Sequence, residues 1–532
     1  MIVLFGLTVD CLTPDLYATV LTYSPSPTLN LQETKTTTPI KQIIILFQED
    51  ISFDHYFSTY PNATNLPGQP RFVASPDTPP VNGLDVNLLY QNPNSVNPIR
   101  FDRSSLITCA MNHHYTAEQT AYHGGADKFV EYASPTAGTL PNGDSCTDPE
   151  NQKQVMGYYD GSIVTALWNY AQHFAINDNF FGTTFGPSVL GHINLISGNT
   201  NGAVIIDPRQ NETLTNDGSQ IINSTLIGNK DPAYDDCSNS TYSVIAMKGK
   251  NIGDLLNAKN VSWGWFSDGF VPSIKTADGQ WHCTFSGIQT YFIYQGNNSD
   301  LFHYYPDVEP FQYYKSTSNP HHLSPSSVSD VGHTDQANHQ YDLKYFWIAA
   351  ESGNLPSVSF LKAPTYADGH AGFSNPLDEQ TYIVNTINRI QNLPQWNDSA
   401  IIIAYDDSGG WYDHVMPPIV GSSKSQFDRL SGIGQCGNVT TTSEGPFQNR
   451  CGYGPRLPIL VISPWAKVNF VDNTLTDQTS ILRFIEDNWD LGRIGNNSYD
   501  LKAGSLLNMF NFTKGHYAPQ LFLDPINGIK IN

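Results

Sequence analysis

The apolar positions of this chain fall into short unbroken runs, separated by stretches with helical spacing. KQIIILF (Lys41–Phe47) and AIIIA (Ala400–Ala404) are β-branched runs of strand length without polar alternation, as expected of strands buried on both faces. Ile383, Ile387 and Ile390 share one helical face between candidate strands at Ser357–Leu361 and Ala400–Ala404. RLPILVISPW adds a strand around Ile459–Ile462, and TSILRFIEDNW places Ile481, Phe484, Ile485 and Trp489 on one side of a helix. Strands alternating with helices predict an α/β protein on a mostly parallel sheet. The stretch from Asp207 to Asp330 is instead rich in Asn, Gly, Tyr and Ser, with only short apolar runs, and reads as long insertions or a cap over the sheet. Residues 1–39 read as a leader or linker. MIVLFGLTV is apolar but too short to span a bilayer, so it is either the remnant of a secretory signal or an N-terminal strand, and Ser24–Pro39 is rich in Pro, Thr and Ser. Residues 40–532 are then expected to form one domain, with cap insertions around 207–330.

Each of the two central runs leads into an acidic pair, Glu49-Asp50 after the first and Asp406-Asp407 after the second. The pairs should therefore lie at the C-terminal ends of buried strands, the edge at which open α/β sheets bind ligands. Four carboxylates gathered there would repel one another unless a cation held them, which points to one or more divalent metal ions bound through oxygen. The plainer alternative is a set of solvated loop acids or helix N-terminal charges.

Composition narrows the partners. With 49 acids against 27 Lys plus Arg the formal charge is −22, which argues against nucleic acid or anionic membrane as a general partner. Charged residues are only 14% of the chain, so neutral polar groups keep the surface wet. Asn-X-Ser/Thr sequons at Asn62, Asn211, Asn223, Asn239, Asn260, Asn297, Asn397, Asn438, Asn496 and Asn511 fit a glycosylated extracellular or cell-surface protein. Setting Cys11 aside leaves six cysteines, which allow fifteen connectivities. Pairing neighbours gives Cys109–Cys146, Cys237–Cys283 and Cys436–Cys451, and buried free thiols are the alternative. No CxxC occurs to support a zinc ribbon.

Four words in order carry a resemblance. QEDISFDHYFSTYPNA (Gln48–Ala63) resembles the ENxSFDHYFGTYP signature of the phosphoesterase family of bacterial phospholipases C and acid phosphatases. TTFGPSVLGHINLISG (Thr183–Gly198) resembles that family's nucleophile segment, and Leu355–Gln380 and Ile401–Pro418 look like its later motifs. The resemblance implies the three-layer α/β/α sandwich of the alkaline phosphatase superfamily. It also implies that Ser188 is the nucleophile and a metal contact, with Glu49, Asp50, Asp406 and Asp407 as metal ligands. His370, then His322, then His113 are the implied residues for holding phosphate oxygens and protonating the leaving group. Asp50 departs from the family's usual Asn, and Gly191 stands where family phosphatases carry Asn, leaving one phosphate contact in doubt unless His192 supplies it.

The leading expectation is a secreted, metal-dependent acid phosphatase acting through a phosphoseryl intermediate. Ser rather than Thr at the nucleophile favours it over a phospholipase C cleaving phosphodiester lipids. A catalytically silent surface glycoprotein is the reading of another class. The missing CxPxR word argues against a sulfatase.

Overall fold

The computed structural model describes residues 35–207, 212–214, 221–238, 243–271, 274–275, 281–282, 304–438 and 450–531. Thr36–Asn532 is one compact unit. Its centre is an eight-stranded sheet of β1 (Gln42–Gln48), β2 (Ala175–Asn177), β3 (Trp263–Ser267), β4 (Gln340–Asp342), β5 (Val358–Lys362), β6 (Ser399–Tyr405), β7 (Ile459–Ile462) and β8 (Phe470–Asp472). The strand order is β4-β3-β5-β1-β6-β7-β2-β8. All neighbours pair in parallel except β7, which runs against both β6 and β2. In register, Ile43–Phe47 of β1 face Val358–Lys362 of β5 on one side, and Ile43–Gln48 face Ala400–Tyr405 of β6 on the other.

The helices that matter for the site are α1 (Phe53–Phe57), α2 (Tyr115–Tyr122), α3 (Thr165–His173), α4 (Ser188–Ser197), α5 (Leu343–Glu351), α6 (Pro376–Gln391) and α7 (Gln478–Trp489). Two of them show how the sheet is covered. Successive side chains of a strand point to opposite faces, and at the end of β1 Phe47 meets His192 of α4, ring centroids 4.9 Å apart. Gln48, on the other face, reaches Glu379 of α6 at 3.4 Å, and Tyr405 beside it bonds the same carboxylate at 2.7 Å. The sheet therefore lies between α4 and α6, and the three-layer α/β/α sandwich is the arrangement found.

Local sequence explains the helices. α6 starts at Asn375, whose side chain accepts from the Leu377 and Asp378 amides, with Pro376 in its first turn. Its Ile383, Ile387 and Ile390 are buried as their spacing predicts. α7 opens with a capping box formed by Asp477 and Ser480, and buries Ile481, Phe484, Ile485 and Trp489. α4 is buried at all ten positions, which is why SVLGHINLIS carries no charged residue beyond its histidine.

One expectation needs correcting. Within the stretch read as insertions, Trp263–Ser267 is a strand of the central sheet, between β4 and β5. WGWFS has a glycine between two tryptophans and lacks a β-branched run, so periodicity passes over it. An antiparallel three-stranded sheet of Ala203–Asp207, Glu212–Leu214 and Val244–Met247 begins just before this stretch and extends into it. Two of the neighbour disulfides are present, Cys109–Cys146 and Cys436–Cys451. Cys237 is disulfide-bonded as well, and its expected partner Cys283 lies outside the described residues. Among the described residues no helix is long and apolar enough to cross a membrane.

Candidate active site

The parallel pairing of β1 with β6 brings their C-terminal ends level, since Gln48 is registered with Tyr405. The acidic pairs therefore emerge side by side. Asp50 sits in the left-handed region at φ 62°, a conformation that Asn and Asp tolerate better than other side chains. Its amide donates to Asp406 Oδ1 at 2.9 Å, and the Asp407 amide donates to the same oxygen at 2.7 Å. Asp406 is thus aimed by backbone from both strands. All four carboxylates are buried.

Burial and the repulsion of their neighbours push Asp50, Asp406 and Asp407 well above the ordinary carboxylate range. Burial also works against charge on Glu49, but Lys362 and then His192 outweigh it and hold its carboxyl down at about 2. Lys362, the last residue of β5, lies 3.2 Å from Glu49 and 3.1 Å from Asp368. One amine cannot neutralise five buried carboxylates. Asp50 Oδ1, Asp406 Oδ2, Asp407 Oδ2 and His192 Nε2 are buried without a hydrogen bond, which is the state expected of ligands awaiting a cation. One ligand atom from each of Glu49, His192 and Asp406 lies within 4.8 Å of the others, and the same holds for Asp50, His113 and Asp407. The residues present therefore fit a divalent cation.

Ser188 is the first residue of α4 and is buried, 4% exposed. Its carbonyl accepts from His192 Nδ1 at 3.0 Å, one helical turn on. Positions i and i+4 share a helix face, so Ser188 lies on the face of α4 whose His192 meets Glu49 and Asp406, at 3.3 and 3.7 Å. No hydrogen bond among the described residues joins the Ser188 side chain to the acids. The turn before it is fixed by Glu118 of α2, which accepts from the Gly186 amide at 2.8 Å and from Ser408 at 2.6 Å. Burial and Asp407 raise Glu118 to about 8.

The expected histidines divide. His370 Nε2 lies 3.1 Å from Asp50, and His113 completes the group with Asp50 and Asp407. The two rings are 6.4 Å apart, and both are half-buried. They mark the side on which the centre opens. His322 is not brought to the acids. Its Nδ1 meets the Phe270 carbonyl, its Nε2 lies 2.8 Å from Asp235, and its ring stacks on Phe270. Burial disfavours its charge, yet Asp235 raises its proton affinity. With both nitrogens engaged it has none to offer the acidic centre. Sequence reasoning missed Lys362, Asp368 and Glu118. Lys362 ends a strand beside β1, so the edge rule that picks out the acids could have found it.

These elements define an α/β protein whose sheet edge holds a carboxylate–histidine centre beside a serine-led helix. The chain belongs to the phosphoesterase family, whose profile matches residues 40–492. It is 25% identical over 510 residues to the non-hemolytic phospholipase C of Burkholderia pseudomallei, covering 91% of this chain and 60% of that protein. The hemolytic phospholipase C of Pseudomonas aeruginosa is 23% identical over 460 residues, covering 85% and 53%. Phospholipase C B of Mycobacterium tuberculosis is 23% identical over 500 residues, covering 89% and 78%. The chain spans little more than half the length of the first two. Among solved structures, murine ectonucleotide pyrophosphatase/phosphodiesterase 5 aligns with TM-score 0.30 and 11% identity, over 65% of this chain and 95% of its own.

Proposed function

We propose that this protein is a metal-dependent phosphoric ester hydrolase acting on phosphodiesters of the phospholipase C type. The buried, unsatisfied carboxylate–histidine centre beside Ser188 carries the proposal. The names of the relatives favour the diester reading over the acid phosphatase expected from Ser188 alone. A divalent cation held by Glu49, Asp50, Asp406 and Asp407 would withdraw charge from a phosphoryl oxygen and acidify the serine hydroxyl. In this scheme Ser188 Oγ bonds to phosphorus as the bond to the leaving alkoxide breaks. His370 Nδ1 is tied to the Ala371 carbonyl at 2.6 Å, which leaves Nε2 to take the serine proton and pass it to that alkoxide. Water then attacks the phosphoserine and regenerates the hydroxyl.

Hydrolysis of p-nitrophenyl phosphorylcholine and p-nitrophenyl phosphate, before and after chelation with metal add-back, tests this reading. Diester cleavage that chelation abolishes and metal restores is expected. Preference for the monoester would return the assignment to a phosphatase, and no cleavage of either would leave the silent glycoprotein. Ser188→Ala should lower turnover roughly a thousandfold or more without unfolding the chain. Unchanged turnover would remove Ser188 as nucleophile.

An extracellular location belongs to the same proposal. Of the sequon asparagines within the described residues, Asn62, Asn223, Asn260, Asn397, Asn438 and Asn496 are exposed and Asn511 is half-buried. Asn211, Asn239 and Asn297 lie outside the described residues. Protein secreted from a eukaryotic host should lose mass on N-glycosidase treatment. An unchanged mass would refute glycosylation.

A further inference from the structure

We infer that Arg456 is a positioning residue. Its guanidinium fills an acidic socket of Asp54, Asp413 and His414 and fixes the three segments that deliver Glu49-Asp50, Asp406-Asp407 and Ser188. This rests on reading those groups as the hydrolytic centre, and adds a support that lies outside the centre itself.

The socket is a separate cluster. Asp54 stands four positions after Asp50, in the first turn of α1, and Asp413 stands six positions after Asp407. One ligand atom from each of Asp54, Asp413 and His414 lies within 4.8 Å of the others, a spacing that could hold a metal ion. Here a side chain supplies the cation. Arg456 is wholly buried, and its Nε and Nη2 donate to Asp413 Oδ2 at 3.2 and 3.0 Å. Nη2 also donates to Asp54 Oδ1 at 3.0 Å, and Nη1 donates to the Asn82 and Asp178 carbonyls at 2.7 and 3.1 Å. Backbone takes the remaining oxygens. Asp54 Oδ2 accepts from the His414 amide and Asp413 Oδ1 from the Val415 amide, each at 2.9 Å. None of these carboxylate oxygens is buried without a partner, in contrast to those of Asp50, Asp406 and Asp407. A socket satisfied in this way needs no metal. A guanidinium is planar, permanently charged and presents its donors in a fixed fork, so it sets direction as well as distance.

Arg456 joins three stretches of chain. Its carbonyl accepts from the Phe53 amide at 2.9 Å, and its guanidinium lies 4.2 Å from the centre of the Phe53 ring. The stretch after β1 is laced to the stretch after β6 by the Ile51 amide, which donates to the Asp407 carbonyl at 3.1 Å. The Ser52 hydroxyl adds a bond to the Tyr412 carbonyl at 2.9 Å. The third stretch is held by backbone: Arg456 bridges Phe181, and the Gly182 amide donates to the Pro455 carbonyl at 2.8 Å. From there the chain runs on to Ser188. No hydrogen bond or ion pair among the described residues joins Arg456 to the four site acids, so it acts through these segments.

Arg456→Lys keeps the charge and loses the fork. It should lower kcat for p-nitrophenyl phosphorylcholine roughly tenfold or more while KM stays within about twofold. Mn2+ binding to the chelator-stripped protein should weaken roughly tenfold. Hydrogen exchange should quicken together in residues 51–57, 180–186 and 408–415. Ile390→Ala, a cavity at the end of α6 opposite Glu379, controls for lost stability and should leave Mn2+ affinity and all three segments as in the parent. Parental affinity and exchange in Arg456→Lys, or equal losses in Ile390→Ala, would overturn the inference. Should the lysine variant not fold, Asp413→Asn, which keeps the side-chain shape and removes one carboxylate charge, is judged by the same outcomes. Three segments that loosen together in a protein cleaving neither p-nitrophenyl ester would uphold the support and remove the hydrolase reading.

Discussion

Gly191 shows how much one residue of this site depends on packing. A Cβ at this position would stand 2.0 Å from the Asp406 carbonyl oxygen and 2.6 Å from its carbon. Helix α4 can press Ser188 and His192 against the acids only because residue 191 has no side chain. Gly191→Ala should therefore displace α4 from β6, destabilise the fold by about 1–3 kcal/mol as overpacked sites do, and weaken metal binding. Denaturant titration together with a metal-binding isotherm would check both, and an unperturbed isotherm would count against the contact. Read in the sequence alone, Gly191 is a lost phosphate contact; in the structure it is the condition for a close approach. The acids were legible because a buried run followed by charge identifies a strand end. His192 and Lys362 were less so, because their partners lie on other elements, 143 and 313 positions away for the pairs His192–Glu49 and Lys362–Glu49. His322 was misplaced for the same reason, since nothing local in NPHHLSPSS announces Asp235 or Phe270.

Elements were legible where they repeat a period and illegible where they do not. β1, β6 and β7 coincide with their β-branched runs, and α6 and α7 follow their spaced apolar residues, while β3 escaped because it has a tryptophan on each side of a glycine. Polar residues at element ends escape in another way. Glu486, in the last turn of α7, is buried and accepts from the Ile494 amide at 3.2 Å, with Arg493 at 3.1 Å. Burial and then Asp500 raise its carboxyl to about 9, so the folded protein keeps this proton at neutral pH. A folded pKa above the unfolded value means that the stabilisation is complete below about pH 4.5 and is lost as pH rises towards 9. Glu486→Gln preserves the shape and removes the titration. Its thermal midpoint should match the parent's at pH 4 and exceed it increasingly up to pH 9, with a ceiling of about 1.4 kcal/mol per pH unit. A constant difference across that range would show that Glu486 does not titrate there.

At the scale of the whole molecule, the disulfides and the active site turn out to be one construction. Cys109 lies four residues before His113, so the Cys109–Cys146 bridge anchors the segment that carries this ring. Cys451 accepts from the Phe185 amide at 3.1 Å and donates to the Tyr115 hydroxyl at 2.7 Å, so the Cys436–Cys451 bridge supports the turn leading to Ser188 and the start of α2. Neither of these segments belongs to the central sheet. The acids follow β1 and β6 directly, whereas His113 and the turn before Ser188 lie on connecting chain to which these bridges are tied. Converting Cys436 and Cys451 together to Ser should cost about 3 kcal/mol for a closed loop of 15 residues in the chain-entropy account. The loss should be larger for function than for the sheet, because the segment released is the one that positions the serine. Hydrogen exchange would follow it: amides around Phe185 and at the start of α4 should lose protection in the double variant while those of β1 and β6 keep theirs. Uniform loss across all four segments would mean that the bridge stabilises the unit as a whole and has no particular hold on the active site.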